Sequence, residues 1–175
     1  MARTFGWARY VYNWARRLRT DASYERQERI GYHEASAALT PLKQHPETAW
    51  LNEASSVPLQ QALRHLDSAF RNFFAGRAQY PTFKQKRGRQ AVTYASSAFR
   101  WEGKARTLTR AKMDAPLDIH WSRAVTGRPS TITSSQDTAG RSFVSFFVSF
   151  LVEEEIQALP VVNAMRGVEV GLKLA

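Results

Sequence analysis

The spacing of hydrophobic residues changes once along this chain of 175 residues, and the change falls near Tyr80-Pro81. Before it, apolar side chains recur every three or four positions; after it, they mostly alternate in steps of two. Helices first and strands second make an α+β class, not the alternating units of an α/β fold. From Phe5 to Leu18, the residues Phe5, Ala8, Val11, Ala15 and Leu18 form a helical stripe with Trp7, Tyr10 and Trp14 beside it. Arg16, Arg17 and Arg19 lie near its carboxyl end, where cations suit the helix dipole. Asp21 to Gly31 is polar and reads as an extension or a loop. A short helix over His33 to Lys43 and another opening at Pro46 follow. The clearest helix runs from Val57 to Phe74, with Leu59, Leu63, Leu66, Phe70 and Phe73 in one stripe. The hydroxyls of Ser55-Ser56 are its expected cap and Gly76 its expected end.

Strands are expected over Ala91 to Trp101, Thr107 to Lys112, Leu117 to Trp121, Ser130 to Ser134 and Ser142 to Val152. Asp137-Thr138-Ala139-Gly140 supplies the turn between the last two. Within the last, Phe143-Val144-Ser145-Phe146 is repeated at once as Phe147-Val148-Ser149-Phe150. A four-residue repeat is even, so Val144, Phe146, Val148, Phe150 and Val152 stay on one face of the strand.

The net charge of +10 is local: eleven basic residues, Arg100 among them, lie between Arg71 and Lys112 with one acid, Glu102, and the rest of the chain is balanced. A neutral body with one basic segment suits a polyanion, because each cation near a phosphate releases condensed counterions. A solvated basic face is the plain alternative. The run Phe83-Lys84-Gln85-Lys86-Arg87-Gly88-Arg89-Gln90 leads directly into Tyr94, Phe99 and Trp101. Lys84, Lys86, Arg87 and Arg89 have the chemistry to grip phosphates; the rings either stack on bases or belong to the core. Gln60, Gln61 and Arg64, on the polar face of the helix after Ser56, carry groups that read base edges bidentately, with solvent exposure as their alternative.

No complete catalytic set is visible. Zero cysteines exclude disulfides, thiolate zinc sites and a cysteine nucleophile. His33, His45, His65 and His120 are scattered, Asp114 and Asp118 resemble turn residues, and Glu153-Glu154-Glu155 reads as a solvated strand end. There is no phosphate-binding loop and no nucleophile elbow. No apolar run approaches the ~20 residues needed to span a bilayer, and the amino terminus lacks a secretory apolar region. A cytoplasmic protein with no membrane partner is expected.

Phe5-Gly6-Trp7-Ala8-Arg9-Tyr10-Val11-Tyr12-Asn13, Leu39-Thr40-Pro41-Leu42-Lys43, Trp50-Leu51, Val57-Pro58-Leu59-Gln60-Gln61-Ala62-Leu63, Phe70-Arg71-Asn72-Phe73-Phe74 and Tyr80-Pro81-Thr82-Phe83-Lys84-Gln85-Lys86-Arg87 occur in one order. In that order they resemble the TnpB (OrfB) proteins of bacterial insertion sequences. The resemblance implies an RNA-guided DNA endonuclease family, with guide RNA and DNA as partners. It implies a helical recognition lobe over residues 1–78 that includes a helix-turn-helix region. An incomplete antiparallel β-barrel, the oligonucleotide-binding-type wedge domain, would occupy 79–160, and the start of a RuvC-like nuclease domain 161–175. By the same resemblance, Tyr32, Ser56 and Gln60 stand where the short DNA motif beside the target is read, and Lys84 to Arg89 face the nucleic-acid backbone.

Two departures bear on activity. Members of the family begin with a strand that precedes the Phe-Gly segment, and by the resemblance this sequence is expected to start after it. Arg166-Gly167-Val168-Glu169-Val170-Gly171-Leu172-Lys173 resembles the first RuvC strand, but Glu169 stands where the family has its first metal-binding Asp. A carboxylate one methylene longer displaces a magnesium ligand. The family's other acids and its structural zinc cysteines would lie beyond this sequence, so no cofactor is expected in this chain. The expectation is a nucleic-acid-binding, truncated TnpB-like transposase without catalysis of its own. The alternatives are a subunit completed in trans by a C-terminal nuclease fragment, and a nonfunctional pseudogene product.

Overall fold

A computed structural model describes residues 2–122 and 127–148. The expected strand end at Glu153-Glu154-Glu155, the second half of the four-residue repeat from Ser149 and the segment with Glu169 lie outside the described residues.

Helix α1 spans Ala2–Arg26, eight residues beyond the Leu18 end expected from its first stripe. Its apolar spacing continues past Leu18: Ala15 and Ala22 are fully buried, so the polar segment after Leu18 keeps one core-facing position per two turns. The helix ends where Gln27 takes a φ of 57° and the Glu28 N–H bonds back to the Ala22 carbonyl at 3.1 Å. Helix α2 spans Tyr32–Gln44 with Pro41 inside it. Its start is held by the Gly31 N–H donating to Glu34 Oε2 at 3.0 Å. A 3-10 segment, Pro46–Glu53, leads into α3, Ser56–Phe74. Ser55 occupies the cap position of α3 but makes no capping bond. The third helical residue is Pro58, which has no N–H to offer a cap. The carboxyl end of α3 closes as expected at Gly76, with φ 69°, Gly76 N–H on the Phe73 carbonyl at 2.9 Å and Arg77 N–H on the Asn72 carbonyl at 2.8 Å.

The strand expected over Ala91 to Trp101 is two strands. β1, Gln90–Ala95, gives way to a 3-10 turn at Ser96–Ala98, and β2, Phe99–Glu102, enters a different sheet. The break packs Ala98 into the core at 1% exposure and directs the chain out of the first sheet. β3, Thr107–Arg110, pairs antiparallel with β2. Leu117 to Trp121 is not a strand; a single bond from the Leu117 N–H to the Leu108 carbonyl, 2.8 Å, lays it beside β3. β4, Thr131–Gln136, and β5, Ser142–Phe147, form the expected hairpin. Asp137 Oδ1 accepts from the Ala139 and Arg141 amides at 3.0 and 2.9 Å, and Arg141 Nε donates to Asp137 Oδ2 at 2.7 Å. That arginine holds the Asp137 carboxyl below its ordinary pKa. Among the described residues the sheets have the orders β1-β4-β5 and β2-β3, an open α+β arrangement with no closed barrel.

One hydrophobic cluster joins both halves. Val11, Leu59, Leu63 and Leu66 from the helices meet Val92, Tyr94, Leu108 and Ile132 from the strands. Tyr94 is buried, so its core reading holds and it offers no face to a base; Phe99 and Trp101 pack partly buried against the same cluster. Cross-strand rows Tyr94–Ile132–Phe146 and Val92–Ser134–Val144 line the inner face, which places Val144 and Phe146 on one side by the two-residue alternation of a strand. Helices α1 and α3 are tied by Arg19, whose guanidinium lies 3.0 Å from Asp67 Oδ1 and 4.3 Å from the Phe70 ring centroid.

Ser134 Oγ is fully buried on the middle strand β4 and has no hydrogen-bond partner among the described residues. An unpaired buried hydroxyl costs about 1–3 kcal/mol, so Ser134→Ala should stabilise the chain by about 1 kcal/mol, read as a higher midpoint in urea unfolding. A lower midpoint would show that the hydroxyl is satisfied.

Candidate nucleic-acid interface

The segment linking the helical and strand halves does not hang free. It is laid along one strip of α1 formed by residues 9, 13, 16 and 20, spaced four, three and four apart. Thr20 Oγ1 and the Tyr80 hydroxyl are 3.1 Å apart, and Arg16 Nε donates to the Pro81 carbonyl at 2.6 Å. Asn13 makes a reciprocal pair with the Lys84 backbone: its Nδ2 donates to the carbonyl at 3.0 Å and its Oδ1 accepts from the amide at 2.8 Å. Arg9 Nη1 donates to Gln90 Oε1 at 3.0 Å. The Gln90 amide in turn donates to the carbonyls of Gln85, Lys86 and Gly88 at 2.9, 3.2 and 2.6 Å. One side chain thus closes the basic run into a defined loop whose Lys86, Arg87 and Arg89 are exposed.

Lys84 behaves differently from its neighbours. Its ammonium lies 4.3 Å from the Tyr12 ring centroid, and burial there lowers its pKa. His65, on α3, lines the same crevice; burial lowers its pKa, and the Lys84 charge adds to the effect. Lys84 is therefore a tie between the linker and α1 and remains an exposed cation as well.

Not all of the eleven cations between Arg71 and Lys112 are outward, so the basic segment is not wholly a surface feature. Arg110 is 2% exposed, with its guanidinium 5.7 Å from the Tyr94 ring centroid, and it holds Met113 Sδ at 3.0 Å. Lys112 donates to the Asn52 carbonyl. Arg100 is exposed on β2 and borders a separate shallow depression with Arg110 and Lys112.

On α3, Ser56, Gln60 and Arg64 recur every four residues along one exposed strip. Helix α2 flanks that strip: Lys43 Nζ donates to Ser56 Oγ at 3.2 Å, and the Arg64 guanidinium stacks 4.6 Å from the Tyr32 ring centroid. The structure thus brings Tyr32, Ser56, Gln60 and Arg64 to one α2–α3 surface. Gln61, half-buried, lies four residues before His65 on the adjoining strip of α3 and apart from that exposed strip. Among the described residues no three His, Cys, Asp or Glu side chains gather as a metal site, and no helix is long and apolar enough to cross a membrane.

A feature absent from the expected site is an open groove of about 750 Å³ on the outer face of α1, walled by Trp7, Tyr10, Trp14 and Trp50. Its sequence signal is Trp7, Tyr10 and Trp14 at helical spacing beside the buried stripe; Trp7, Trp14 and Trp50 also pack partly buried against the core, and Tyr10 is the more exposed ring.

Residues 1–28 match a helix-turn-helix domain family of the OrfB/IS605 kind. In this fold most of that match is the single helix α1, with α2 beginning just beyond it. A Streptomyces pristinaespiralis protein described as an RNA-guided DNA endonuclease is 48% identical over 98% of this chain. The Escherichia coli K12 protein InsQ, described in the same words, is 31% identical over 89% of it. The chain spans 42% and 37% of the lengths of these two relatives.

The α1 strip makes a direct prediction. Asn13→Ala removes both bonds to the Lys84 backbone, so the Lys84 amide should exchange with deuterated solvent about tenfold faster while α3 amides keep their protection. Unchanged exchange at Lys84 would mean that the linker is held by other contacts.

Proposed function

This chain is a relative of the TnpB/OrfB proteins that matches their N-terminal part, and on that footing we propose that it binds nucleic acid and does not itself cleave it. The observation that carries the reading is the loop closed by Gln90: three outward cations on a braced backbone, with no acid between Arg71 and Glu102. A cation held in place loses less freedom on meeting a phosphate than one on a free tail, so bracing raises the return from each contact. The α2–α3 surface with Tyr32, Ser56, Gln60 and Arg64 supplies the second element. A hydroxyl, a carboxamide and a guanidinium on one helix face are the groups that read base edges.

In this reading residues 1–78 act as a recognition lobe and 79–160 as a wedge domain, with guide RNA and DNA as partners. Cleavage, which the descriptions of the relatives ascribe to them, belongs to the part of those proteins that this chain does not span. Support for that division is chemical: phosphodiester cleavage by two metals needs a carboxylate cluster, and Glu169 is a single candidate. Magnesium and structural zinc are accordingly assigned to the unspanned part.

Two measurements test the proposal. Lys86→Gln, Arg87→Gln and Arg89→Gln together should make the log–log dependence of affinity on salt shallower by about 2 to 3, since each lost phosphate contact removes roughly 0.7–0.9 from the slope. An unchanged slope would remove the loop from the interface. Incubated with guide RNA, matched target DNA and magnesium, the 175-residue chain should leave the DNA intact; cutting above background would overturn the non-catalytic assignment.

A further inference from the structure

We propose that the groove on the outer face of α1 is a stacking site for unpaired nucleotides of a polynucleotide, an inference that rests on the reading of the neighbouring loop as a phosphate-binding element. Trp7, Tyr10 and Trp14 lie three and four residues apart on α1, so their rings line one strip of the helix. Trp50, from the 3-10 segment, closes one end; it meets Tyr10 edge to face with centroids 5.0 Å apart, and its indole N–H is fixed on the Glu47 carbonyl at 2.8 Å. These rings are therefore pre-set, which lowers the ordering cost of a stacked ligand.

The charge of the lining selects the ligand. Arg3, Arg9 and Arg17 border the groove, and among the described residues no carboxylate does. Arg3 reaches Glu53 at 3.7 Å, but both side chains are largely exposed, so that pair is weak enough to yield to a phosphate. Rings flanked by cations, without acids, match the alternation of base and phosphate in a single strand. A duplex keeps its bases stacked on each other and presents no free ring face to this strip.

The groove also continues the loop. Phe83 lines it and is the residue before Lys84; the face of its ring turned toward α1 is covered by the Arg16 guanidinium, 4.0 Å from the centroid. Arg9 borders the groove and holds Gln90, the side chain that closes the loop. A strand whose phosphates follow Lys86, Arg87 and Arg89 would thus meet the α1 rings within the same surface. The volume, about 750 Å³, lies within the roughly 300–1,000 Å³ range of small-ligand clefts.

The test compares single-stranded and duplex oligonucleotides of one sequence, as RNA and as DNA, on the full chain by fluorescence anisotropy. Trp14→Leu should weaken single-strand binding about tenfold, the scale of one lost base stack, with an unchanged salt slope and less than a threefold effect on duplex. Tyr10→Ala, at a more exposed ring, should act in the same direction and keeps the test open if Trp14→Leu fails to fold. Loss with RNA, with DNA or with both supports the site and identifies the sugar it accepts. Single-strand and duplex affinities that fall in parallel, or no change in either variant, would overturn it. Should Trp14→Leu and Tyr10→Ala be silent while the loop variant still flattens the salt slope, the groove fails alone; an unchanged slope in the loop variant is the separate failure of the proposed function.

Discussion

The placement of every outward cation in the linker depends on four α1 side chains, Arg9, Asn13, Arg16 and Thr20, that hold an extended backbone against a helix. Backbone in that segment has no ladder partner until β1 begins at Gln90, so its donors and acceptors would otherwise be left to water. Hydrogen bonds of this kind contribute about 0.5–1.5 kcal/mol each, which is comparable to the entropy of ordering a single residue. They set the path of the segment rather than supply its stability. Stability comes from rings: Tyr80 packs edge to face on Phe70 and Phe73 at 5.4 and 5.1 Å, and Pro81 is buried. Helix α1 therefore faces the core, holds the linker and walls the aromatic groove, with Arg9 and Asn13 shared by the last two and Trp7 and Trp14 by the first and last.

That division changes what the net charge means. A formal +10 confined to a segment invites the picture of a continuous basic band. Folding engages part of it in contacts within the protein: Arg110 is buried beside Tyr94, whereas Lys112, on the Asn52 carbonyl, and Lys84, beside Tyr12 with a lowered pKa, stay exposed. Three cations on the loop remain directed to solvent together. Fewer cations in a defined geometry make a weaker long-range field but a more selective contact, because direction as well as charge must match the phosphate path.

The parts of the fold that local chemistry decides were legible in the sequence. The switch in hydrophobic period gave helices before strands, Gly76 ended α3 through a positive φ, and Asp137 to Gly140 made the hairpin. What escaped was decided by partners distant in sequence. Ala91 to Trp101 alternates like one strand, yet the burial of Ala98 divides it between two sheets. Ser55 has the right hydroxyl for a cap, but Pro58 removes the donor that it would bond. Within the candidate site the same limit applies. Composition located the Lys84 to Arg89 run, but only the contact with Tyr12, far away on α1, separates Lys84 from the three cations after it. Tyr32 and Arg64 were each singled out; that one stacks on the other follows from the packing of α2 on α3.

The four-residue repeat shows how parity protects a core while leaving a trace on the surface. In β5, Val144 and Phe146 face the sheet interior, and Phe146 stacks with Trp121 at 5.4 Å. An odd insertion would have turned the residues after it to the opposite face of the strand. With an even repeat the inner face is preserved and the cost moves outward: Phe143 and Phe147 are 51% and 64% exposed on the opposite face. Pairing with β4 closes at Phe147, whose carbonyl accepts from the Ser130 amide and hydroxyl at 2.9 and 3.1 Å, so the first copy of the repeat and the first residue of the second lie within the span of the partner strand. Among the described residues β5 is also the outer strand of its sheet. Apolar rings on an edge strand are the features that favour pairing with another chain, so this edge, and not the core, is where the repeat affects the behaviour of the protein.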